Sequence, residues 1–344
     1  MRSVALIAAI WVLTGVAAWA GTGALIPLLR RAALLDRPNA RSSHSVPTPR
    51  GGGIAVVGAI IAAWLALIAF GAAAPRVAAI VVGAAILAAV SWVDDRRGLS
   101  PFVRLAAQFV AVGLGLLVVV PAGAVFQGRL PPPLAVAGAA LLWVWFVNLF
   151  NFMDGIDGLA GSEAAAIGLG LVLCASLGAG SDPTLAAPAG AIAAAAIGFL
   201  VWNWAPARIF LGDVGSVPLG YLLGFLLLLA AAQGHWRLAS ILPLYFLADA
   251  TLTLLRRLAH RERIWQAHRR HFYQQAVRRG LGHAAVAWRV AAADAVLIGC
   301  GWAAEQGWGV IALAAAAVVT GLLLADLAGL PRRGPAAEEP DGAA

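Results

Sequence analysis

Long apolar runs constrain this chain more than any other feature. About eleven segments approach the roughly twenty residues that a helix needs to cross a bilayer. They are 4–26, 53–73, 76–93, 103–121, 134–150, 162–179, 185–203, 215–233, 238–255, 284–304 and 308–328. Because a helix satisfies its own backbone hydrogen bonds in lipid, such runs predict transmembrane helices. The predicted fold class is therefore all-α, a polytopic membrane protein with about eleven transmembrane helices.

Composition agrees with a membrane domain. Of 344 residues, 62% are hydrophobic and 12% are charged, and the mean hydropathy is +0.87, far above the balance of soluble proteins. We expect one membrane domain over 1–330 and a disordered cytoplasmic tail over 331–344, which is rich in Pro, Gly and Ala. Since Arg30 and Arg31 outweigh Arg2, the first run predicts an uncleaved helix with its N-terminus outside.

The basic residues are distributed unevenly between the predicted loops. The chain has no Lys, and its arginines cluster at 30–50, 96–104, 208 and 256–279. The intervening loops hold only Arg76, Arg129 and Arg237. This alternation is the positive-inside bias, and it predicts that the Arg-rich loops are cytoplasmic. Because topology explains the sequence pI of 11.0, nucleic-acid binding is not expected.

Polar residues recur every third position in the stretch NLFNFMDGIDGLAG, residues 148–161. They are Asn148, Asn151, Asp154 and Asp157. On a helix this spacing places successive side chains on neighbouring faces, and Asn and Asp offer the oxygen ligands that Mg²⁺ prefers. A polar turn between two helices is the alternative, because Asn, Asp and Gly dominate turns. Two carboxylates without a basic residue in the stretch favour a functional site.

Two further acidic motifs lie in the predicted cytoplasmic loops. Asp94 and Asp95 end the third run; adjacent like charges repel unless a cation intervenes, although Arg96 and Arg97 could neutralise them as a polar cap. Asp213, in FLGDVGS, precedes the eighth run. It is either a helix N-cap or part of a turn that offers N–H groups to phosphate and a carboxylate to Mg²⁺.

The last Arg-rich loop carries His268, Arg269, Arg270 and His271. An amphipathic interfacial helix and a clamp for phosphate oxygens both explain this composition, and they are compatible. Zinc is disfavoured because a third ligand is missing; Cys174 and Cys300 lie in apolar runs. The weaker candidates are His44 and Arg50 in the first Arg-rich loop, and Asp249, a carboxylate inside an apolar run.

Two kinds of candidate residue lie on one predicted membrane face. The carboxylates suit Mg²⁺, and the Arg and His residues and Gly-containing turns suit phosphate. This combination predicts phosphoryl transfer between a soluble nucleotide-bearing donor and a lipid acceptor. The motifs VDDRRGLS, NLFNFMDGIDGLAG, FLGDVGSVPLG and HRRHFYQ, in this order, also resemble those of the polyprenyl-phosphate N-acetylhexosamine-1-phosphate transferases, bacterial glycosyltransferase family 4. The resemblance runs from about residue 36 to residue 275.

The resemblance implies a reaction and a role for each motif. Undecaprenyl phosphate and a UDP-linked N-acetylamino sugar would give undecaprenyl-diphospho-sugar and UMP at the bacterial inner membrane, with Mg²⁺ or Mn²⁺. The implied metal residues are Asn151 and Asp213, and the implied catalytic residues are Asp94 and Asp95. The implied substrate contacts are Asp154, Gly155, Asp157, Phe210 (stacked on uracil), His268, Arg269, Arg270 and His271.

The sequence departs from the family pattern in two places. Phospho-MurNAc-pentapeptide transferases carry consecutive histidines in the last loop and a Lys after the Asp pair, whereas this chain has HRRH and no Lys. A third acidic residue after the pair is also missing, since Gly98 follows Arg97. The first departure, HRRH without any Lys, favours the branch that initiates O-antigen lipopolysaccharide or other surface polysaccharides. The pentapeptide transferase is the alternative within this family. An ion-coupled transporter is a second alternative, from a different functional class. The sequence leaves the donor sugar and the oligomeric state open.

Overall fold

The computed structural model describes residues 2–36, 46–122, 124–177, 183–263 and 268–329. The predicted tail 331–344 and the candidate His44 lie outside these residues. Within them, the chain forms thirteen α-helices. In chain order, they are α1 Arg2–Arg31, α2 Gly53–Ala69, α3 Ala78–Arg97, α4 Pro101–Val119, α5 Pro132–Phe152, α6 Leu159–Leu177, α7 Pro183–Asn203, α8 Asp213–Ala232, α9 Trp236–Ile241, α10 Leu244–Ala259, α11 Phe272–Arg278, α12 His283–Ala303 and α13 Gly309–Ala328.

The helices confirm an all-α polytopic membrane protein. In the described ranges, eight helical segments are long and apolar enough to cross a bilayer. One of them, His283–Ala328, contains both of the last two predicted spans, which meet at a kink where Gly307 has a φ of 95°. Helix α2 is also apolar, but with 17 residues it is shorter than each of these eight segments. The count of about eleven spans stays a prediction.

The predicted span 238–255 is wrong as a single helix. Helix α9 ends at Ile241 and α10 begins at Leu244, so the chain breaks at Leu242 and Pro243. Proline has no backbone N–H to continue the helical hydrogen-bond ladder and its ring clashes with the preceding turn. The break separates a short helix from α10, which carries Asp249.

A small β-structure, absent from the predicted all-α fold, joins the first loop to the α7–α8 loop. Strand β1, Leu35–Asp36, pairs antiparallel with β2, Thr48–Pro49, with Leu35 opposite Pro49. Arg50 then forms an isolated parallel bridge with Phe210. The backbone N–H of Phe210 donates to the carbonyl of Pro49 at 2.8 Å. This pairing brings Arg50 to the start of α8.

Helix α8 is the centre of the bundle. All of its residues from Val214 to Ala232 are buried, mainly by α3 and α5. Small residues permit close approach, as membrane helices require; a Cβ on Gly53 would meet the backbone of Gly215. The N-terminus of α8 is therefore enclosed by the ends of neighbouring helices, and the candidate site lies there.

Candidate active site

Asp95 caps α8 from a different helix. Its Oδ1 accepts a hydrogen bond from the backbone N–H of Asp213 at 3.4 Å, and its Oδ2 accepts one from Val214 at 3.1 Å. The first N–H groups of a helix lack partners inside the helix, and a negative charge there is stabilising. Gly212, with a φ of 74°, makes the tight turn that brings these groups against the carboxylate.

Arg50 bridges the two carboxylates at the start of α8. Its Nη2 lies 2.8 Å from Oδ1 of Asp95 and 2.6 Å from Oδ1 of Asp213. Burial by itself would lower the pKa of Arg50, but the carboxylates of Asp213, Asp95, Asp36 and Asp154 raise it above its ordinary value. Arg50, a weaker candidate in the sequence, is thus a permanently charged residue at the centre of the site.

Asn151 completes the connection between α5 and α8. Its Nδ2 donates to Oδ1 of Asp213 at 3.2 Å and to Oγ of Ser216 at 2.8 Å. The two residues expected to bind the metal are therefore hydrogen-bonded to each other. Ser216 in turn donates to the carbonyl of Gly212 at 3.2 Å, which fixes its hydroxyl on the first turn of α8.

Asp154 lies in the turn between α5 and α6 and adds a third carboxylate. Burial raises the pKa of Asp154 well above its ordinary value; Arg50 opposes the shift, whereas Asp213 and Asp95 reinforce it. Asp95 and Asp213 therefore contact Arg50, and the charge of Asp154 also acts on it. We call these four residues, together with Asn151, the carboxylate cluster.

The helical interpretation of residues 148–157 is correct only in its first half. Asn148 and Asn151 lie on α5, but α5 ends at Phe152, so Asp154 and Asp157 lie in a turn. Gly158, with a φ of 77°, favours this turn over a continuous helix. Asn148 exchanges side-chain hydrogen bonds with Gln108 on α4, at 2.7 and 3.3 Å.

The side chains of Asp94 and Asp95 make separate sets of contacts. Oδ1 of Asp94 accepts a hydrogen bond from the backbone N–H of Leu99 at 2.5 Å, and its Oδ2 accepts one from Arg104 at 3.2 Å. Asp95 instead contacts Arg50 and α8. Repulsion within the pair is thus relieved by Arg50 from the first loop and Arg104 from α4, rather than by Arg96 and Arg97.

A cavity of about 580 Å³ opens beside the cluster. Its polar lining comprises Ser91, Asp94, Arg104, Gln108, Asn148, Asn151 and Asp213. Its remaining lining is apolar and includes Leu87, Val90, Leu105, Phe109, Leu141, Val144 and Val217. A cavity with a charged end and an apolar body suits an amphipathic molecule with a polar head and a hydrocarbon chain. We call this cavity the lipid-facing groove.

Asp157 lies close to the cluster but makes contacts of its own. Its Oδ2 accepts a hydrogen bond from the backbone N–H of Ala207 at 3.0 Å, and its Oδ1 lies 3.2 Å from Nδ1 of His283. These contacts join the α5–α6 turn to the α7–α8 loop and to the start of α12. A substrate role for Asp157 stays a prediction.

The α7–α8 loop carries Phe210 three residues before the start of α8. Its backbone carbonyl accepts hydrogen bonds from Gly51 at 3.1 Å and Gly52 at 2.9 Å, and the residue is partly exposed. The backbone is thus fixed while the ring remains accessible. This arrangement permits the stacking that the resemblance implies, and that role also stays a prediction.

The four motif residues of the last loop differ in burial. His271 is 3% exposed, and its Nδ1 lies 3.1 Å from Oδ1 of Asp249. His268 and Arg269 are partly exposed, and Arg270 is exposed and paired with Glu262. Burial, together with the nearby His271 and arginines, lowers the pKa of His268 to about 4. His268 is therefore neutral near pH 7.

Comparison with known proteins identifies the family of this chain. The family profile described as glycosyl transferase family 4 matches residues 77–231. A phospho-N-acetylmuramoyl-pentapeptide-transferase of Microcystis aeruginosa is 33% identical over 259 residues, which cover 68% of this chain and 69% of the relative. The chain belongs to glycosyl transferase family 4. It is a multi-pass membrane phosphotransferase of the polyprenyl-phosphate hexosamine-1-phosphate transferase type.

Two other family 4 relatives carry different names. A probable undecaprenyl-phosphate N-acetylglucosaminyl 1-phosphate transferase of Bacillus subtilis is 28% identical over 277 residues, which cover 75% of each chain. A decaprenyl-phosphate N-acetylglucosaminephosphotransferase of Mycobacterium tuberculosis is 33% identical over 225 residues, which cover 59% of this chain and 55% of the relative. The similarities therefore span more than one donor within the family.

Several residues of this candidate site were not predicted from the sequence. They are Arg104, Ser216, Tyr273 and His283. Ser216 lies three residues after Asp213, so the first turn of α8 was a usable signal. Arg104 belongs to no motif, although its partner Asp94 is only 10 positions away. His283 also belongs to no motif, and its partner Asp157 is 126 positions away. Only the fold brings His283 to the site.

Gly155 lies against a tyrosine of the last loop. The Tyr273 hydroxyl donates to the carbonyl of Phe152 at 2.9 Å, and a Cβ on Gly155 would overlap that hydroxyl. We expect Gly155→Ala to lower stability by about 1–3 kcal/mol, because Tyr273 is fully buried and has no space to move. The measurement is thermal unfolding in detergent. Gly58→Ala is the control, since a Cβ there meets nothing within 4 Å; equal melting temperatures for the two variants would contradict this packing.

Proposed function

We propose that this protein transfers an N-acetylamino-sugar 1-phosphate from a UDP-sugar to undecaprenyl phosphate. The products would be UMP and an undecaprenyl-diphospho-sugar that initiates O-antigen or another surface polysaccharide. One observation carries the proposal: Asn151 and Asp213 of the carboxylate cluster line the lipid-facing groove, together with Asp94 and Arg104. A water-soluble diphosphate and a lipid phosphate can therefore meet at one point. The positive-inside bias supports a cytoplasmic face of the bacterial inner membrane.

The donor set of the cluster fits Mg²⁺. Carboxylate and amide oxygens are the ligands that this ion prefers, and two carboxylates contact the single guanidinium of Arg50, which leaves net negative charge. Asp213 and Asn151 would hold the ion, with Mn²⁺ as a substitute. When bound, Mg²⁺ would neutralise charge on the donor diphosphate as UMP leaves.

The protein side chains would position the two substrates for in-line transfer. An acceptor phosphate oxygen would attack the β-phosphorus of the UDP-sugar, and the bond to the oxygen of the UMP phosphate would break. Arg104 lies beside Asp94 at the polar end of the groove, where it would attract the acceptor phosphate. His268, Arg269 and Arg270 would assist at the diphosphate.

Asp94 is the candidate base, although little basicity is needed. A phosphate monoester with a second pKa near 6 is already mostly dianionic at pH 7. Asp94 could instead orient the acceptor or attack the donor in a two-step route. Incubation with radiolabelled UDP-sugar and no acceptor distinguishes these routes. Label bound covalently to the protein supports two steps, and no bound label supports one.

The reaction is tested with purified protein, undecaprenyl phosphate and a panel of donors. The panel includes UDP-N-acetylglucosamine, UDP-N-acetylfucosamine, UDP-N-acetylquinovosamine and UDP-MurNAc-pentapeptide, each with and without Mg²⁺. We expect UMP release with at least one of the three amino sugars and only with the metal. Release with none of the four donors would contradict the proposed function.

A phospho-MurNAc-pentapeptide transferase is the second candidate, because a relative with that name is 33% identical. The motif HRRH, in place of consecutive histidines, argues against it. UMP release with UDP-MurNAc-pentapeptide alone would establish this alternative. Membership in family 4 favours either transferase over the ion-coupled transporter.

Phe210 provides a test of nucleotide binding. We expect Phe210→Ala to raise the KM for the UDP-sugar about tenfold, because a lost aromatic stacking contact costs on the order of 1–3 kcal/mol. The measurement is steady-state kinetics with each substrate varied in turn. Phe109→Ala is the matched control, since Phe109 lines the apolar part of the groove; it should raise the KM for the lipid acceptor alone. An unchanged nucleotide KM in Phe210→Ala would exclude stacking.

A further inference from the structure

Asp249 is a buried carboxylate on α10 that collects donors from two parts of the chain. It is 0% exposed. Its Oδ1 accepts from Thr253 at 3.3 Å and its Oδ2 from Tyr245 at 3.2 Å, both on its own helix. The remaining donors belong to the last loop and α11. They are Nδ1 of His271 at 3.1 Å, the backbone N–H of Phe272 at 3.0 Å and the backbone N–H of Tyr273 at 3.3 Å.

The contacts with α11 repeat an arrangement already present at α8. Asp95 accepts the first two N–H groups of α8 from another helix, and Asp249 accepts the first two N–H groups of α11, those of Phe272 and Tyr273. In each case a buried carboxylate fixes the start of a helix. In α11 the same carboxylate also fixes a neighbouring ring, that of His271.

The contacts of Asp249 extend to the carboxylate cluster. Tyr273, whose N–H it accepts, donates its hydroxyl to the carbonyl of Phe152. Phe152 follows Asn151, one of the residues expected to bind the metal. On the other side, the ring centroids of His271 and His268 are 4.9 Å apart. Asp249 therefore lies at the junction of α10, the HRRH motif and the α5–α6 turn.

We propose that Asp249 is a positioning residue: it holds the HRRH motif over the donor diphosphate through His271 and the first turn of α11. It touches no substrate itself, because it is fully buried. The kinetic part of this inference rests on the proposed function. The ordering of the last loop does not, and it can be measured separately.

Asp249→Asn is the informative substitution because it keeps the size of the side chain. Each carboxylate oxygen accepts one backbone N–H of α11, Oδ1 from Phe272 and Oδ2 from Tyr273. In either orientation, the amide NH₂ of Asn would face one of these N–H groups, and two donors cannot bond to each other. The start of α11 must then move, and the HRRH motif with it. Asp294→Asn is the matched control, since Asp294 is a buried carboxylate on α12 with no described hydrogen bond to the last loop.

Limited proteolysis measures the order of the loop in the full-length protein without any substrate. Trypsin cuts after Arg, and the loop offers Arg261, Arg263, Arg269 and Arg270. We expect Asp249→Asn to be cut there about tenfold faster than the wild type at a temperature where both are folded, because protease access follows local opening. Asp294→Asn should be cut at the wild-type rate.

Steady-state kinetics separates positioning from a loss of folded protein. Partial unfolding lowers Vmax but leaves each KM unchanged, because the remaining folded enzyme is normal. We expect Asp249→Asn to raise the KM for the UDP-sugar about tenfold and to leave the KM for undecaprenyl phosphate unchanged, since the donor alone meets the motif. His271→Asn should do the same, and the double variant should be no worse than the more affected single variant.

Two results would overturn the positioning role. One is a wild-type cleavage rate together with a wild-type donor KM in Asp249→Asn. The other is an effect of Asp294→Asn on the cleavage rate and on the donor KM that equals the effect of Asp249→Asn. That result would show that the loss of any buried carboxylate disturbs the protein to the same extent. If the wild type turns over none of the donors, the proposed function fails, and the cleavage rates alone decide whether Asp249 orders the loop.

Discussion

Asp213→Asn should abolish Mg²⁺-dependent UMP release, a loss of about 10³-fold or more, because electrostatic groups at a reacting phosphate contribute effects of that size. The substitution preserves the shape of the side chain but removes the charge that Arg50 contacts at 2.6 Å and Asn151 at 3.2 Å. It also removes the carboxylate expected to bind the ion. The protein should remain folded, since Asp95 still caps α8.

The measurement is UMP release over a Mg²⁺ titration, with size-exclusion and thermal-unfolding profiles to confirm folding. Asp326→Asn is the matched control: Asp326 pairs with Arg289 at 3.0 Å, and the side chains of Arg289 and Asp326 are 40% and 38% exposed. Exposed ion pairs contribute about 0–1 kcal/mol, so this variant should keep full activity. Activity of Asp213→Asn above one-tenth of the wild type would contradict the metal assignment.

The fold was largely predictable because a bilayer imposes a length on each helix. Runs of roughly twenty apolar residues have few alternatives in lipid, and most predicted spans overlap an observed helix. The exceptions occur where a local breaker acts. Pro243 divides the ninth predicted span, and Gly158, with its positive φ, favours a turn where the polar period begun on α5 would have continued as a helix. Such breaks depend on one residue, which a count of apolar positions does not register.

The site was predictable in its residue types but not in its pairings. Asp95, Asn151 and Asp213 carry the oxygen atoms that a metal site needs, and their loops alternate along the chain. Arg50 was a weaker candidate because its partner Asp213 is 163 positions away. A two-stranded β-pair and a single bridge to Phe210 bring it there. No periodicity in the sequence indicates strands of two residues.

The HRRH motif is a second case in which the sequence could not assign the role of each residue. His268 and His271 are equivalent in the sequence, three positions apart and surrounded by arginines. In the structure His271 is buried against Asp249, whereas His268 is partly exposed and neutral. Because the distinction depends on a carboxylate from α10, the motif alone could not assign a separate role to each histidine.

Arg50→Met is the second change with a large expected effect. We expect kcat/KM to fall by about 10²–10³-fold, because a guanidinium aimed at charge that develops on a phosphoryl group contributes a loss of that order when removed. Arg50→Lys should recover only part of the activity. The Lys ammonium is a point charge, and it lacks the planar guanidinium whose several N–H groups can bind two carboxylates at once. Arg289→Met, which breaks the exposed pair with Asp326, is the control and should be fully active.

The Mg²⁺ dependence of Arg50→Met distinguishes two roles for the guanidinium. Removal of a cation from among Asp95, Asp154 and Asp213 strengthens the attraction of these carboxylates for a divalent ion. The variant should therefore reach half of its own maximal rate at a lower Mg²⁺ concentration than the wild type. If Arg50 also acts on substrate phosphate, excess Mg²⁺ will not restore the rate. Full recovery at high Mg²⁺ would instead show that Arg50 is only a counter-charge, which the metal can replace.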